Sequence, residues 1–286
     1  MTDYVVYDVF TDTPLSGNPL AVVLGAQTLP DAALQKIAAE FNLSETAFVL
    51  PPEDPAHTAR LRIFTPVMEL PFAGHPTIGT AIALADLGAA SPMVFELGVG
   101  PIPITLQGGE AAFTTRVPLT RGGTVEAGDV ARSVGLEARD IQTAHHLPQL
   151  AGVGLDYVFA QVVDRAALAR AKPDTGAMEA AQANCPPGTR FEVHLYAREG
   201  DKVFARMFAP LFGIPEDPAT GSANAALTAY LAELDGQDLT LDITQGVEMG
   251  RPSTLRVSAV LENGVSRAVT VAGRAVKVME GRLTLP

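Results

Sequence analysis

Two stretches of the chain carry residues whose types and spacing could do chemistry, and they look like copies of each other. The first reads Arg62-Ile63-Phe64-Thr65-Pro66 and, after a loop, His75-Pro76-Thr77-Ile78-Gly79-Thr80-Ala81. The second reads Arg206-Met207-Phe208-Ala209-Pro210 and then Asp217-Pro218-Ala219-Thr220-Gly221-Ser222-Ala223. Each ends in an apolar run with helical character. The first N–H groups of a helix have no internal partner, and the macrodipole makes that end electropositive. Two such ends would hold a carboxylate without any Lys or Arg. The repetition predicts two related lobes facing each other, with a site where the paired helices begin. Taken singly, Thr80, Ser222 and Asp217 fit better as residues that cap or flank helices. Only their repetition favours chemistry.

The elements that must position these groups follow from the hydrophobic pattern. Residues 76–87 and 222–234 are apolar almost all round, as in helices buried within a core. Polar, Gly- and Pro-containing sequence precedes each and suits a helix start. Upstream, residues 4–10, 20–24, 47–50 and 58–64 are rich in β-branched and aromatic residues and predict strands. Asp31 opens a helix with Leu34, Ile37, Ala38 and Phe41 at helical spacing. Strands at 93–97, 102–106 and 111–117 complete a first lobe. The Gly- and Thr-rich residues 118–128 read as the crossing to a second. There a helix near 130–134, a strand at 157–163 and helices at 165–171 and 176–183 precede strands at 191–197 and 202–208. Strands at 239–243, 254–260, 268–271 and 275–279 finish the chain. Short strands outnumber helices, and each lobe encloses one apolar helix. This predicts an α+β architecture of two pseudo-symmetric lobes, each a curled, mostly antiparallel sheet around a central buried helix. The N-terminal lobe is expected to span 1–118, completed by the last strand at about 272–286, and the C-terminal lobe 119–271.

Composition narrows the function classes. A chain of 286 residues with 47% hydrophobic and 18% charged residues is long enough for two well-packed domains. A net charge of −12 without a basic run argues against nucleic acid or an anionic membrane as partner. Cys185 is the only cysteine, so no intrachain disulfide can form, and a soluble, cytoplasmic protein is expected. The N-terminus has no signal-peptide pattern, and the most apolar helices fall short of membrane-spanning length. His145 and His146 point apart if on a strand and have no third ligand nearby, so no metal site is expected. The pairs Gly108-Gly109 and Gly122-Gly123 lack the residues of a phosphate loop, and no serine nucleophile elbow is present.

Five motifs then carry a resemblance. They are SGNP at 16–19, SET at 44–46, ELPFAGHPTIGTA at 69–81, DPATGSAN at 217–224, and Gln245-Gly246 followed by MGRPS at 249–253. In this order and spanning essentially the whole chain, they strongly resemble the phenazine-biosynthesis PhzF family, of diaminopimelate-epimerase-like fold. The resemblance implies two pseudo-symmetric lobes with a substrate cleft between them, a homodimer, and a cofactor-independent isomerase. The family's characterised reaction isomerises trans-2,3-dihydro-3-hydroxyanthranilate. It implies further that Glu45 is the catalytic carboxylate, and that His75 and Asp217 hold the substrate's polar groups or assist proton movement. Gly74, Gly221 and Ser222 match positions that bind the substrate carboxylate. Arg251 lies in a matching motif but fits an exposed turn after Gly250 equally well. Read from the residues alone, Glu45 could equally be a solvated strand-start carboxylate, and His75 fits better as a satisfied residue at a helix start.

The missing thiols narrow the chemistry. Epimerases and racemases of the implied fold use two cysteines, one at each helix start, whereas Cys185 lies in an Asn-Cys-Pro-Pro-Gly segment. That leaves one carboxylate to take a proton from one carbon and return it to another, which moves a double bond. The expected function is therefore a cofactor-independent isomerase of a small unsaturated cyclic carboxylic acid. After abstraction, the Gly74 and Gly221 amides and His75 are expected to stabilise the anion. Two alternatives stay open: a Glu/His-based epimerase or racemase of an amino or hydroxy acid, and a non-catalytic binding protein.

Overall fold

The computed structural model describes residues Thr2–Thr284. In chain order the elements are β1 (Thr2–Val9), β2 (Asn18–Val23), α1 (Asp31–Phe41), β3 (Glu45–Leu50), β4 (Ala59–Phe64), β5 (Glu69–Leu70), α2 (Gly74–Asp86), β6 (Met93–Leu97), β7 (Gly100–Gln107) and β8 (Glu110–Thr115). They continue with β9 (Thr120–Thr124), α3 (Ala127–Ser133), β10 (Gln149–Gly152), β11 (Asp156–Gln161), α4 (Arg165–Arg170), α5 (Thr175–Ala183), β12 (Val193–Glu199), β13 (Lys202–Ala209) and β14 (Ile214–Asp217). The last are α6 (Gly221–Asp235), β15 (Leu239–Gln245), β16 (Ser253–Glu262), β17 (Val265–Gly273) and β18 (Ala275–Leu283). The chain divides into two compact units. One comprises the residues up to Thr114 and those from Val271 onward, the other Thr115–Thr270.

Both units are wired alike. In the first, β1–β2, β3–β4, β4–β5 and β6–β7 pair antiparallel, while β2–β3 and β4–β6 pair parallel. In the second, β10–β11, β12–β13, β13–β14 and β15–β16 pair antiparallel, while β11–β12 and β13–β15 pair parallel. One flanking strand closes each set antiparallel, β18 on β1 and β9 on β10. The parallel pairs need crossover connections. Accordingly α1 links β2 to β3, and α4 with α5 link β11 to β12. Each unit is thus a curled, mostly antiparallel sheet about one buried helix, the α+β architecture expected.

The central helices explain the apolar runs. In α2 every residue from Gly74 to Ala83 is buried, and in α6 so is nearly every residue from Gly221 to Ala232. Helix α2 packs on β1, β2, β3, β7 and β18, and α6 on β10, β11, β15 and β16. Gly79 lets α2 lie close, since a Cβ there would come within 2.6 Å of Leu20 and Val9. The other sheet face carries the linking helices. Leu34, Ile37 and Ala38 of α1 join Val23, Phe48 and Phe64 in one core, while α3, α4 and α5 cover Val158, Val193 and Leu195 in another.

The register corrects the way the two copies align. Ile63 lies opposite Leu70, and Met207 opposite Asp217. The counterparts are therefore Leu70 and Asp217, Pro71 and Pro218, Gly74 and Gly221, His75 and Ser222. Matching His75 with Asp217 and Gly79 with Gly221, as the sequence spacing suggests, is five residues out of step. The motif arginines confirm the shift. Arg62 grips Glu69 at 2.7 Å through both Nε and Nη2, and Arg206 grips Glu216 at 2.8 and 2.9 Å. Each arginine clamps the short strand that leads into the central helix. Four strands escape the sequence pattern: β9, which reads Thr-Arg-Gly-Gly-Thr and is exposed throughout, and the short β5, β10 and β14. Pairing with a neighbour, not composition, makes β9 a strand.

Candidate active site

In the first unit, β3 and α2 bring Glu45 and His75 together. Glu45 is the first residue of β3, and His75 the second of α2. His75 Nδ1 lies 3.4 Å from Glu45 Oε2, with side-chain exposures of 5% and 16%. The same ring hydrogen-bonds the backbone of Pro19. Since Nε2 is buried without a partner, both contacts belong to Nδ1. Two acceptors face Nδ1, so it carries the hydrogen and Nε2 presents a lone pair. Burial lowers the His75 pKa from 6.5 to about 3, against the opposing pull of the Pro19 hydrogen bond. The ring is neutral at neutral pH. A neutral imidazole that turns Nδ1 to Glu45 and Pro19 leaves Nε2 as the ring nitrogen able to accept a hydrogen bond.

In the second unit, a buried polar network shapes the start of α6. Thr220 Oγ1 donates to Asp217 Oδ2 at 2.5 Å. Gln245, fully buried at the end of β15, donates through Nε2 to the Asp217 carbonyl at 2.8 Å and to Thr220 Oγ1 at 3.0 Å. Its Oε1 accepts from Thr220 N–H at 3.2 Å and Asn224 Nδ2 at 2.8 Å. Asn224 Nδ2 also donates to the Thr220 carbonyl, and its Oδ1 accepts from His194 Nε2, both at 3.0 Å. Side chains thus fix the helix start, whose first amides have no intrahelical acceptor. Ser222, on that first turn, shares a 2.7 Å hydrogen bond with the Tyr157 hydroxyl.

The register also locates a counterpart of Glu45. Ala47 lies opposite Ile63 and His194 opposite Met207, so two residues earlier Glu45 matches Glu192. Glu192 is buried and accepts from Arg190 Nε at 2.6 Å. Burial raises its pKa, with Arg190 opposing. The two units therefore carry equivalent carboxylates in different company, Glu45 with a neutral imidazole and Glu192 with a guanidinium.

Other candidates resolve simply. Arg251 follows a turn in which its N–H donates to the Gly246 carbonyl at 3.0 Å. His145 pairs with Asp235 at 3.0 Å, while His146 bonds the Leu147 carbonyl and the Tyr196 hydroxyl. Among the described residues no three His, Cys, Asp or Glu gather as metal ligands would, and no helix is long and apolar enough to cross a membrane. Cys185 is half-buried and burial raises its pKa, which disfavours the thiolate.

A family model for phenazine biosynthesis-like proteins (PhzC–PhzF) matches residues 7–281. The chain belongs to this family. Among phenazine biosynthesis-like relatives, the trans-2,3-dihydro-3-hydroxyanthranilate isomerase of Pseudomonas aeruginosa is 37% identical over 295 residues, with 100% of both chains covered. The crystal structure of a PhzF-family protein from Bacillus anthracis matches with a TM-score of 0.89 at 26% identity, over 99% of each chain. A hydroxyproline epimerase from Agrobacterium vitis shares the fold at 14% identity and a TM-score of 0.60, covering 98% of this chain and 91% of its own.

The buried histidines of this phenazine biosynthesis-like protein make its stability acid-sensitive. Burial also lowers the His194 pKa, from 6.5 to about 4, with the Asn224 hydrogen bond opposing. Unfolded imidazoles bind a proton near 6.5, whereas His75 and His194 stay neutral in the folded chain down to about 3 and about 4. The unfolded state therefore binds more protons below 6.5. The stability these rings contribute is complete above that pH and declines as pH falls toward 4, by about 1.4 kcal/mol per pH unit for each ring. Urea unfolding between pH 7 and 5 should show this slope, reduced in His194→Gln. A flat profile would contradict it.

Proposed function

We propose that this isomerase moves a proton between carbons of a small unsaturated cyclic carboxylic acid of the dihydro-hydroxyanthranilate kind, with Glu45 as its single acid/base. The observation that carries the proposal is the placement of Glu45 against a neutral, buried His75, while its counterpart Glu192 is engaged by Arg190. A general base must lie within reach of the proton it takes, and a carboxylate at the mouth of a partly buried site can take a proton and return it. The name of the Pseudomonas aeruginosa relative supplies the substrate class. In the reaction, Glu45 takes a proton from one carbon and the electron pair left behind delocalises through the conjugated acid. The protonated Glu45 returns the proton to a different carbon, so the double bond migrates with no net loss or gain.

The remaining residues are assigned by what their groups can donate or accept. His75 Nε2 accepts from a hydroxyl or ammonium of the substrate. Asp217, held by Thr220, takes a polar donor or assists proton movement. Gly74 and Gly221 offer backbone N–H groups, and Ser222 its hydroxyl, to the carboxylate. Incubation with trans-2,3-dihydro-3-hydroxyanthranilate, followed by proton NMR, should show loss of the starting ring pattern and a displaced double bond. Unchanged substrate with a folded protein would count against this substrate class.

A further inference from the structure

We infer that Tyr157 is a positioning residue for Ser222 and makes the start of α6 select a carboxylate over a group that donates hydrogen bonds. The inference rests on the assignment of Ser222 to the substrate carboxylate. Tyr157, on β11, is 2% exposed, and among the described residues its hydroxyl has one hydrogen-bond partner, Ser222 Oγ at 2.7 Å. A buried phenol O–H without an acceptor is costly to leave unmade, so the phenol donates and Ser222 Oγ accepts. That arrangement commits a lone pair of Ser222 and leaves its own hydrogen for a ligand. Beside it stand the first amides of α6, which can only donate. The first turn of α6 thus offers hydrogens from its amides and from Ser222, and such a set suits a carboxylate, which only accepts. A carboxamide would turn an N–H₂ toward other donors.

Two further observations support the phenol as a chosen group. The strand pairing puts Leu20 opposite Glu45, and Tyr157 at the matching place beside Glu192, one residue before the Val158–Val193 pair. The repeated framework is thus satisfied by leucine in one unit and does not itself require a hydroxyl in the other. Burial and the nearby Glu192 and Asp217 carboxylates raise the Tyr157 pKa, so the phenol keeps the hydrogen it donates.

The test uses 3-hydroxyanthranilate and its carboxamide as a matched acid and amide pair. Their affinities for the wild type, Tyr157→Phe, Ser222→Ala and the double variant are measured by titration calorimetry. Phenylalanine keeps the ring, and circular dichroism checks the fold. Ser222→Ala should weaken the acid about tenfold, the scale of one hydrogen bond to a charged group. Tyr157→Phe should weaken it about threefold to tenfold, lower the preference for acid over amide, and add nothing in the Ser222→Ala background. A Tyr157→Phe effect undiminished in that background, or an unchanged acid preference, would overturn the positioning role alone. Undiminished acid binding by Ser222→Ala would overturn the carboxylate assignment itself, and the inference with it.

Discussion

Glu45→Gln is expected to keep the fold and ligand binding while losing turnover by at least about 10²-fold, the low end for general acid–base catalysis. The substitution preserves size and an acceptor oxygen, so the contact with the His75 Nδ1 hydrogen can persist. What disappears is the capacity to bind and release a proton. Because Glu192 is held by Arg190, no equivalent carboxylate stands ready to replace it. Removing an acid/base lowers kcat, whereas removing a binding contact raises KM. Turnover by Glu45→Gln within a few-fold of wild type, on a substrate the wild type converts, would end the single-base reading.

Gln245→Leu is expected to lower stability by about 3 kcal/mol and to loosen the start of α6. Gln245 makes four hydrogen bonds to Asp217, Thr220 and Asn224, all of them buried. Leucine fills similar space but leaves those partners without their bonds, and each buried polar group left unpaired costs about 1–3 kcal/mol. Some repairing between Thr220 and Asn224 keeps the total below the simple sum. Urea denaturation reads the stability loss, and binding of 3-hydroxyanthranilate should weaken in parallel because Thr220, Gly221 and Ser222 lose their common anchor. A loss under about 1 kcal/mol with unchanged binding would show that the network is dispensable.

Why Gln245 escapes a reading of the chain alone is a matter of distance. Within Leu239–Gln245 it follows ordinary strand alternation, and its partners lie 21 to 28 residues earlier in the chain. The turn that follows holds a clue in Gly246, which has φ +79° and comes so near Pro218 that a Cβ would meet its carbonyl oxygen at 2.7 Å. Tyr157 is hidden for a related reason. In an apolar strand it reads as core, and only its 2.7 Å approach to Ser222 gives the hydroxyl a task. Periodicity did reveal the two central helices, because burial on every side leaves a long apolar run, and with them the α+β architecture. Its alignment of the copies slipped because Pro-x-x-Gly occurs twice around α2. The pair Glu69-Leu70-Pro71 and Glu216-Asp217-Pro218, each facing its arginine, was the better guide. The carboxylate at 45 stands out from no local pattern. Its partner His75 is thirty residues away, and the neutral state of that ring follows from burial, which spacing does not express.

The central claim is that one carboxylate carries a proton from one carbon to another. The most direct test is conversion of trans-2,3-dihydro-3-hydroxyanthranilate in heavy water, with the product's deuterium located by NMR. The expected result is a displaced double bond with solvent deuterium at the carbon that receives the proton, and neither change with Glu45→Gln. Deuterium at the carbon that lost the proton, with inverted configuration and the double bond in place, would contradict the claim and identify an epimerase instead.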